Sequence, residues 1–384
     1  MTAAFSIEDM LPDLVAFRRD IHAHPELGFC EHRTASAIAD FLREQGIEVH
    51  EGVGRTGVVG VLRNGSSDRA IGLRADMDAL PMEEKTGLPY ASRHPGSFHG
   101  CGHDGHVAML LGAAQYLART RSFDGTVNFI FQPAEEGQGG GRVMVEDGLF
   151  DRFPCDSVYG IHNWPDLPMG TIATRPGPIM GAADRFEIVL RGKGGHAAIP
   201  HMTPDAILAA SALVMQLNTI ISRNIDPNAA AVLSVTQING GDVHNVIPET
   251  VSVVGTVRTF DPAVQERIEQ AIHQMAQGVA TSFALAVDVD YQRYYPATIN
   301  DADCAMRVLE IAASIGHAEL APHPAFTSED FAYLLQQRPG AYIWLGQKVD
   351  ENSPSLHSPR YDFNDGVLAL GMKLHVALAE HLLA

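Results

Sequence analysis

Between residues 183 and 293 the chain changes rhythm, and no other feature constrains its fold as tightly. A strand-like run at 183–191, helical spacing at 204–222, strands at 230–238 and 250–260, a helix at 262–279 and a strand at 284–291 spell β-α-β-β-α-β. That is the order of a ferredoxin-like unit, which makes a domain by itself. Before it, helical spacing at 6–20 and 34–45 leads into short β-branched runs at 58–62, 70–74, 127–131 and 157–161, with a long helix at about 104–119. Such alternation implies a layered α/β sheet. After it come helices near 301–315 and 328–337, a strand at 341–345 and a closing helix at 366–383. This tail is short for a third domain and reads as the completion of the first sheet. The expected fold is therefore a mixed-sheet α/β domain, residues 1–182 and 294–384, carrying an inserted ferredoxin-like domain at 183–293.

Charge narrows the partners. With 46 acidic against 27 basic residues the net charge is −19, which suits neither nucleic acid, whose affinity comes from clustered Lys and Arg, nor anionic lipid. The first dozen residues have no basic stretch followed by an apolar one. No uninterrupted apolar run approaches the roughly 18 residues of a membrane span. A cytoplasmic protein without a membrane partner is expected. The four cysteines, Cys30, Cys101, Cys155 and Cys304, are far apart and include no C-x-x-C, so neither a disulfide framework nor a finger-type zinc site is suggested.

The densest polar constellation is His99-Gly100-Cys101-Gly102-His103-Asp104-Gly105-His106, where a loop opens the helix at 104–119. Thiolate and imidazole in a C-x-H spacing can face one cation from a glycine-permitted turn, and Asp104 can orient an imidazole behind it. Taken alone, a solvated turn with a buried free cysteine explains it equally well. The following junctions change the balance. Gln132-Pro133-Ala134-Glu135-Glu136-Gly137 places two carboxylates after a strand, and Gly160-Ile161-His162 places a histidine just past the next one. In an open α/β sheet ligands bind at the carboxyl ends of strands. One glutamate can ligate a metal while its neighbour stays free to take a proton from water. Asp76 and Asp78 share one side of an extended chain; they support such a site or cap the turn that follows.

These residues, together with H-x-H-P-E-L at 22–27, R-A-D-M-D-A-L-P at 74–81, G-K-G-G-H-A-A at 192–198, N-V-I-P at 245–248, S-E-D-F at 328–331 and L-H-S-P-R-Y-D-F-N-D at 356–365, resemble the M20 metallopeptidase family. The match is to its aminoacylase-like branch of hippurate hydrolases, N-acyl-L-amino-acid amidohydrolases and auxin-conjugate hydrolases. The resemblance spans nearly the whole chain. It implies two divalent metal ions, manganese or zinc first and cobalt or nickel also compatible, held by Cys101, His103, Glu136, His162 and His357. It also implies Glu135 as general base and acid, and Asp78 beside the metals. His196 of a neighbouring subunit's inserted domain would be the oxyanion donor, with Asn245 and Arg258 binding the substrate carboxylate. The inserted domain would then serve as lid and dimerisation module of a homodimer, with tetramers left open. Many members have H-x-D where this chain has Asp76-Met77-Asp78, which leaves the bridging ligand open. The histidines at 22 and 24 have no implied chemical role beyond packing beneath the site, and Thr327-Ser328-Glu329-Asp330 reads as a helix cap.

The expected activity is hydrolysis of the amide of N-acyl (acetyl, benzoyl or similar) amino acids, an N-acyl-amino-acid amidohydrolase. Two rivals stand beside it: a dipeptidase or carboxypeptidase of the same family, and a non-catalytic binding module clipped by a structural metal. Closed structural zinc sites use four ligands, so five candidates plus an uncommitted Glu135 favour an open site. Gly52-Val53-Gly54-Arg55-Thr56-Gly57 fits G-x-G-x-x-G, but a strand-like run follows where the dinucleotide fingerprint needs a helix.

Overall fold

The structure, a computed structural model, describes residues 6–384; residues 1–5 of the expected first segment lie outside the described residues. It divides into two compact units. The first takes in the chain to Ile179, then Ile299–His323 and Asp330–Ala384; the second is Met180–Thr298 with Pro324–Glu329. The last segment departs from the boundaries expected from sequence. Gly181 N–H donates to the carbonyls of Ala325 and Thr327 at 2.9 and 2.8 Å, and the Phe326 ring lies 4.7 Å from that of Phe260. Six residues held this way show no periodicity from which sequence could assign them.

In the first unit, helices α1 (Ile7–Ala23) and α2 (His32–Glu44) precede β1 (Glu48–Val53), β2 (Gly57–Asn64) and β3 (Ala70–Asp76). Then follow α3 (His103–Thr120), β4 (Gly125–Gln132), β5 (Ser157–Pro168) and β6 (Thr171–Thr174). With His317–Leu320 and Gly340–Lys348 the strands form one eight-stranded sheet, ordered β1-β2-β4-β3-β5, then 340–348, β6 and 317–320. The inner strands β4, β3, β5 and 340–348 run parallel. Every residue of β3 is buried, as expected for a parallel strand covered on both faces. The register sets Asp76 opposite Gln132, Arg74 opposite Gly160, and His162 opposite Trp344. The ends of β3 and β4 and the middle of β5 thus come level.

Two local expectations change, and one strand is new. His162 lies within β5 rather than past its end, because the strand 340–348 keeps pairing with β5 up to Pro168. The helix expected at 328–337 shrinks to Ala332–Leu335. β1 was not visible in the sequence because most of its residues are exposed or half-buried, leaving no apolar run. Its turn into β2 holds Gly52 and Gly54 at φ of +75° and +63°, so the G-x-G-x-x-G is a hairpin, not a phosphate loop.

The second unit has four antiparallel strands, ordered Ala231–Asn239, Thr250–Thr259, Ala182–Arg191, Ala286–Tyr295, with helices Ala206–Thr219 and Pro262–Ser282. Both helices begin with an aspartate cap: Asp205 accepts from Leu208 N–H and Asp261 from Ala263 N–H. This is the ferredoxin-like arrangement. Its last strand starts two residues later than expected and runs on to Tyr295. One stretch among the described residues, Ala206–Asn224, is long and apolar enough to cross a membrane by length and composition. In the structure it is a helix whose Ala206, Ala209, Ala210, Leu213 and Leu217 pack into the core of this unit.

Candidate metal centre

Backbone geometry at the sheet edge separates the paired glutamates. Ala134 sits at φ +51°, Glu136 at φ −72° and ψ 79°, and Gly137 at φ +81°. A non-glycine residue in the left-handed region is strained and persists only where its surroundings hold it. Here Ala134 N–H donates to the buried carboxylate of Glu31 at 2.8 Å. As a result Glu135 meets the backbone N–H of Asp330 at 3.4 Å, while the Glu136 carboxylate lies 3.3 Å from His357 Nε2. His357 is itself left-handed at φ +62°, and its N–H donates to Gly100 O at 2.8 Å. The chain from the far end of the sequence is thereby tied to the cysteine turn.

The donor atoms gather. Those of Cys101, Glu136 and His357 lie within 4.8 Å of one another, as do those of His103, Glu135 and Glu136. Cys101 Sγ is 3.5 Å from His162 Nε2. All five expected ligands therefore join one chain of neighbours. Each buried imidazole is oriented from behind: His162 Nδ1 meets Asn163 O at 2.7 Å, and His103 Nδ1 meets Asp78 O and Oδ1 at 2.9 and 3.2 Å. A ring nitrogen that donates to a carbonyl leaves the other with its lone pair free, as metal-ligating histidines require. His103 Nε2 is buried and makes no hydrogen bond, although buried polar atoms are rarely left so. A cation answers that deficit.

The electrostatics point the same way. Burial alone opposes charge on His103, but Asp76, Asp78 and Glu136 carry its pKa up to about 10. Without a metal, the acidic cluster demands a proton in its place. Burial, reinforced by His106 and His103, holds His162 well below the ordinary histidine value, keeping it neutral and fit to ligate. Sulfur, nitrogen and oxygen donors together suit zinc, manganese, cobalt or nickel.

Other residues of the cluster are supports. His106 falls within reach of Asp76, His103 and His162, but both its nitrogens are committed: Nδ1 to Asp76 at 2.5 Å, Nε2 to Asn163 N–H at 3.1 Å. Asp78 spends one oxygen on His103 and the other on Glu136 N–H at 2.9 Å, so it positions two expected ligands. Asp104 turns away from the cluster toward Arg18 and His22. Asp330, read from sequence as part of a helix cap, instead accepts from Arg74 at 3.2 Å, Gln132 at 2.6 Å and Gly141 N–H at 2.8 Å. The one signal for that role was Arg74, a buried cation that draws acidic partners, Asp76 of its own strand at 2.7 Å among them.

The family model for peptidase family M20/M25/M40 matches residues 72–381. The chain belongs to this family. Hippurate hydrolase of Campylobacter jejuni is 40% identical over 376 residues, 97% of each chain. N-acetyl-L-cysteine deacetylase of Bacillus subtilis is 41% identical over 92% of this chain and 84% of its own. A dinuclear metal binding peptidase of the M20 family from Bacillus subtilis superposes with a TM-score of 0.86 at 34% identity, covering 98% of this chain and 99% of that one. The M20 chain is accordingly an amidohydrolase, with a His, Cys and carboxylate cluster suited to metal.

The remaining expected residues lie in the second unit. His196 is exposed on a two-residue strand, Gly195–His196, paired with Val246–Ile247, and Ala197 N–H donates to Asn245 O at 3.0 Å. This brings His196 and Asn245 side by side. His196 Nδ1 accepts the N–H of Ala198 at 3.0 Å, which leaves the proton of the neutral ring on Nε2, an exposed donor. Arg258 is half-buried and bonded to Thr256 Oγ1 and Val257 O, with Asp184 the acid that acts on it. Desolvation lowers its pKa, the state of a cation that would gain from a carboxylate.

Beneath the cluster, burial opposes charge on His22, but Asp104 raises its pKa to about 9. A histidine raised in the folded state contributes stability fully below its unfolded pKa of about 6.5 and loses it as pH climbs through 9. Urea unfolding of the chelated M20 enzyme at pH 6.5 and 9.5 is therefore expected to show a loss of up to about 3 kcal/mol that His22→Gln lacks. Equal pH slopes for the two proteins would refute this pairing.

Proposed function

We propose that this M20 enzyme hydrolyses the amide bond of N-acyl amino acids, releasing the free amino acid and a carboxylic acid. The observation that carries this reading is the division between adjacent glutamates: Glu136 stands with Cys101 and His357, while Glu135, buried and near His103, turns to Asp330 N–H. Cys101, His103, Glu136, His162 and His357 would hold two divalent ions, manganese or zinc, with cobalt or nickel able to substitute. Bound there, the metals acidify water and polarise the scissile carbonyl.

Glu135 accepts the proton of the attacking water and passes it to the departing nitrogen, serving as base and then acid. His196, with its Nε2–H available, donates to the developing oxyanion from the inserted unit of a second copy of the chain. Arg258 pairs with the free carboxylate of the amino acid by its bidentate fork, and Asn245 adds a hydrogen bond from the neighbouring loop. Asp78 keeps His103 and Glu136 in place. This reading makes the protein a cytoplasmic homodimer joined through its inserted unit, and the inserted unit its lid. A non-catalytic metal clip has no use for a second buried carboxylate beside the cluster.

The test is a panel of N-acetyl, N-benzoyl and N-indoleacetyl amino acids and free dipeptides, assayed after chelation and reloading with single cations. Acyl amino acids are expected to be cleaved and dipeptides to be poor substrates. A strong preference for dipeptides would assign the chain to the peptidase alternative.

A further inference from the structure

The histidine-rich end of α1 has no place in the reaction, yet its Arg18 and His22 are fully buried. Arg18 and His22, one helical turn apart, close on the same oxygen: Arg18 Nη1 is 3.1 Å and His22 Nδ1 2.8 Å from Asp104 Oδ2. Asp104 directly follows His103 in the first turn of α3. The same guanidinium reaches a segment distant in sequence, with Nη1 3.0 Å from Asp362 Oδ1 and Nε 2.9 Å from Asp365 Oδ1. Tyr90 donates to the other oxygen of Asp362 at 2.7 Å and stacks under Arg18 at 4.9 Å. Two backbone bonds run alongside, His357 N–H to Gly100 O at 2.8 Å and Lys85 N–H to Pro359 O at 2.6 Å.

Burying an arginine is expensive, and replacing a buried ion network by apolar packing is often neutral or stabilising. The network does, however, have a geometric effect that apolar packing lacks. One arm grips the residue after His103; the other grips the segment that follows His357. The neighbouring residues of the motif do other work: His24 bonds Asp20 O, and Glu26 accepts the N–H groups of Arg33 and Thr34 at the start of α2.

We propose that Arg18 and His22 are positioning residues of the metal centre, fixing the spacing between the Cys101–His103 turn and the segment bearing His357: both hold Asp104, and Arg18 also holds Asp362 and Asp365. The inference rests on the proposed reading of those residues as metal ligands. It gives His22, the first residue of the H-x-H-P-E motif, a function: the end of α1 gauges the distance between two donor groups that lie far apart in the chain.

Cobalt is the probe, because its visible bands report ligand geometry and a thiolate charge-transfer band reports Cys101. The full-length protein, stripped by chelator, is titrated with Co²⁺ as the unaltered chain and as His22→Leu, His22→Asn and Asp362→Asn; melting of each is also measured in chelator. His22→Leu and Asp362→Asn are expected to weaken cobalt binding by about 10–100-fold, the usual effect of losing an outer support, and to shift the bands. His22→Asn, which sets an amide nitrogen near the place of Nδ1, is expected to restore most of both. Unchanged affinity and bands in His22→Leu and Asp362→Asn, with only the chelator melting point lowered, would overturn the proposal and make the network a plain fold element. If His22→Leu does not fold, Asp362→Asn at its partly exposed position decides by the same two readouts. Failure of the unaltered chain to take up cobalt would instead sink the ligand reading, and the inference with it.

Discussion

Replacing Glu135 with Gln is expected to lower kcat by about 10³-fold, within the range that a positioned general base supplies, while leaving metal uptake near that of the unaltered chain. The two effects separate because the strained turn at Ala134 sends Glu135 and Glu136 to different neighbours. Glutamine keeps the shape and can still accept from Asp330 N–H but cannot take a proton from water. Glu136→Gln should behave oppositely, losing metal first and activity as a consequence. Measuring metal content and single-turnover rates on both variants checks the assignment; equal rates for Glu135→Gln and the unaltered chain would remove Glu135 from the chemistry.

Cys101→Ser is expected to produce the largest change in metal preference. Thiolate is the one soft donor in a set otherwise made of imidazole and carboxylate, and it favours zinc over manganese. A hydroxyl in its place stays protonated and ligates weakly. Zinc affinity should fall by more than the 10–100-fold typical of losing an outer support, whereas manganese affinity should change much less. Competition between the two ions, followed by metal content after dialysis, reads this directly. A parallel loss for both ions would show that Cys101 acts through the shape of its turn and not through sulfur.

Much of this was legible in the sequence, for a physical reason. Buried parallel strands are continuous apolar runs, so 70–74 and 127–131 announced themselves and placed Asp76, Gln132 and the glutamates after them. The β-α-β-β-α-β block was legible because its helices are long, the first of them markedly apolar, and each is opened by an aspartate. What stayed hidden lacked either periodicity or composition. β1 has a largely exposed surface. The segment 324–329 returns to the second unit through a pair of backbone hydrogen bonds and one ring contact. Asp330 is a long-range partner of Arg74, 256 positions away, and no local pattern reports such a pairing. His357 came only from resemblance, because its left-handed backbone and its bond to Gly100 are tertiary facts. Arg18 looked like one more charged residue on a helix, although its side chain is wholly buried.

The tether between His357 and the turn at Gly100 also bears on how the molecule comes into being. The proposed ligands at 101, 103, 136 and 162 emerge from the ribosome long before position 357, and contacts so distant in sequence are the slow ones to form. The inserted unit, with its own core and nearer pairings, is free to fold in the interval. If the proposed ligand set holds, a nascent chain presents a thiol and three other donors as an incomplete set, and ion capture would be one of the closing steps of maturation, coupled to arrival of the tail.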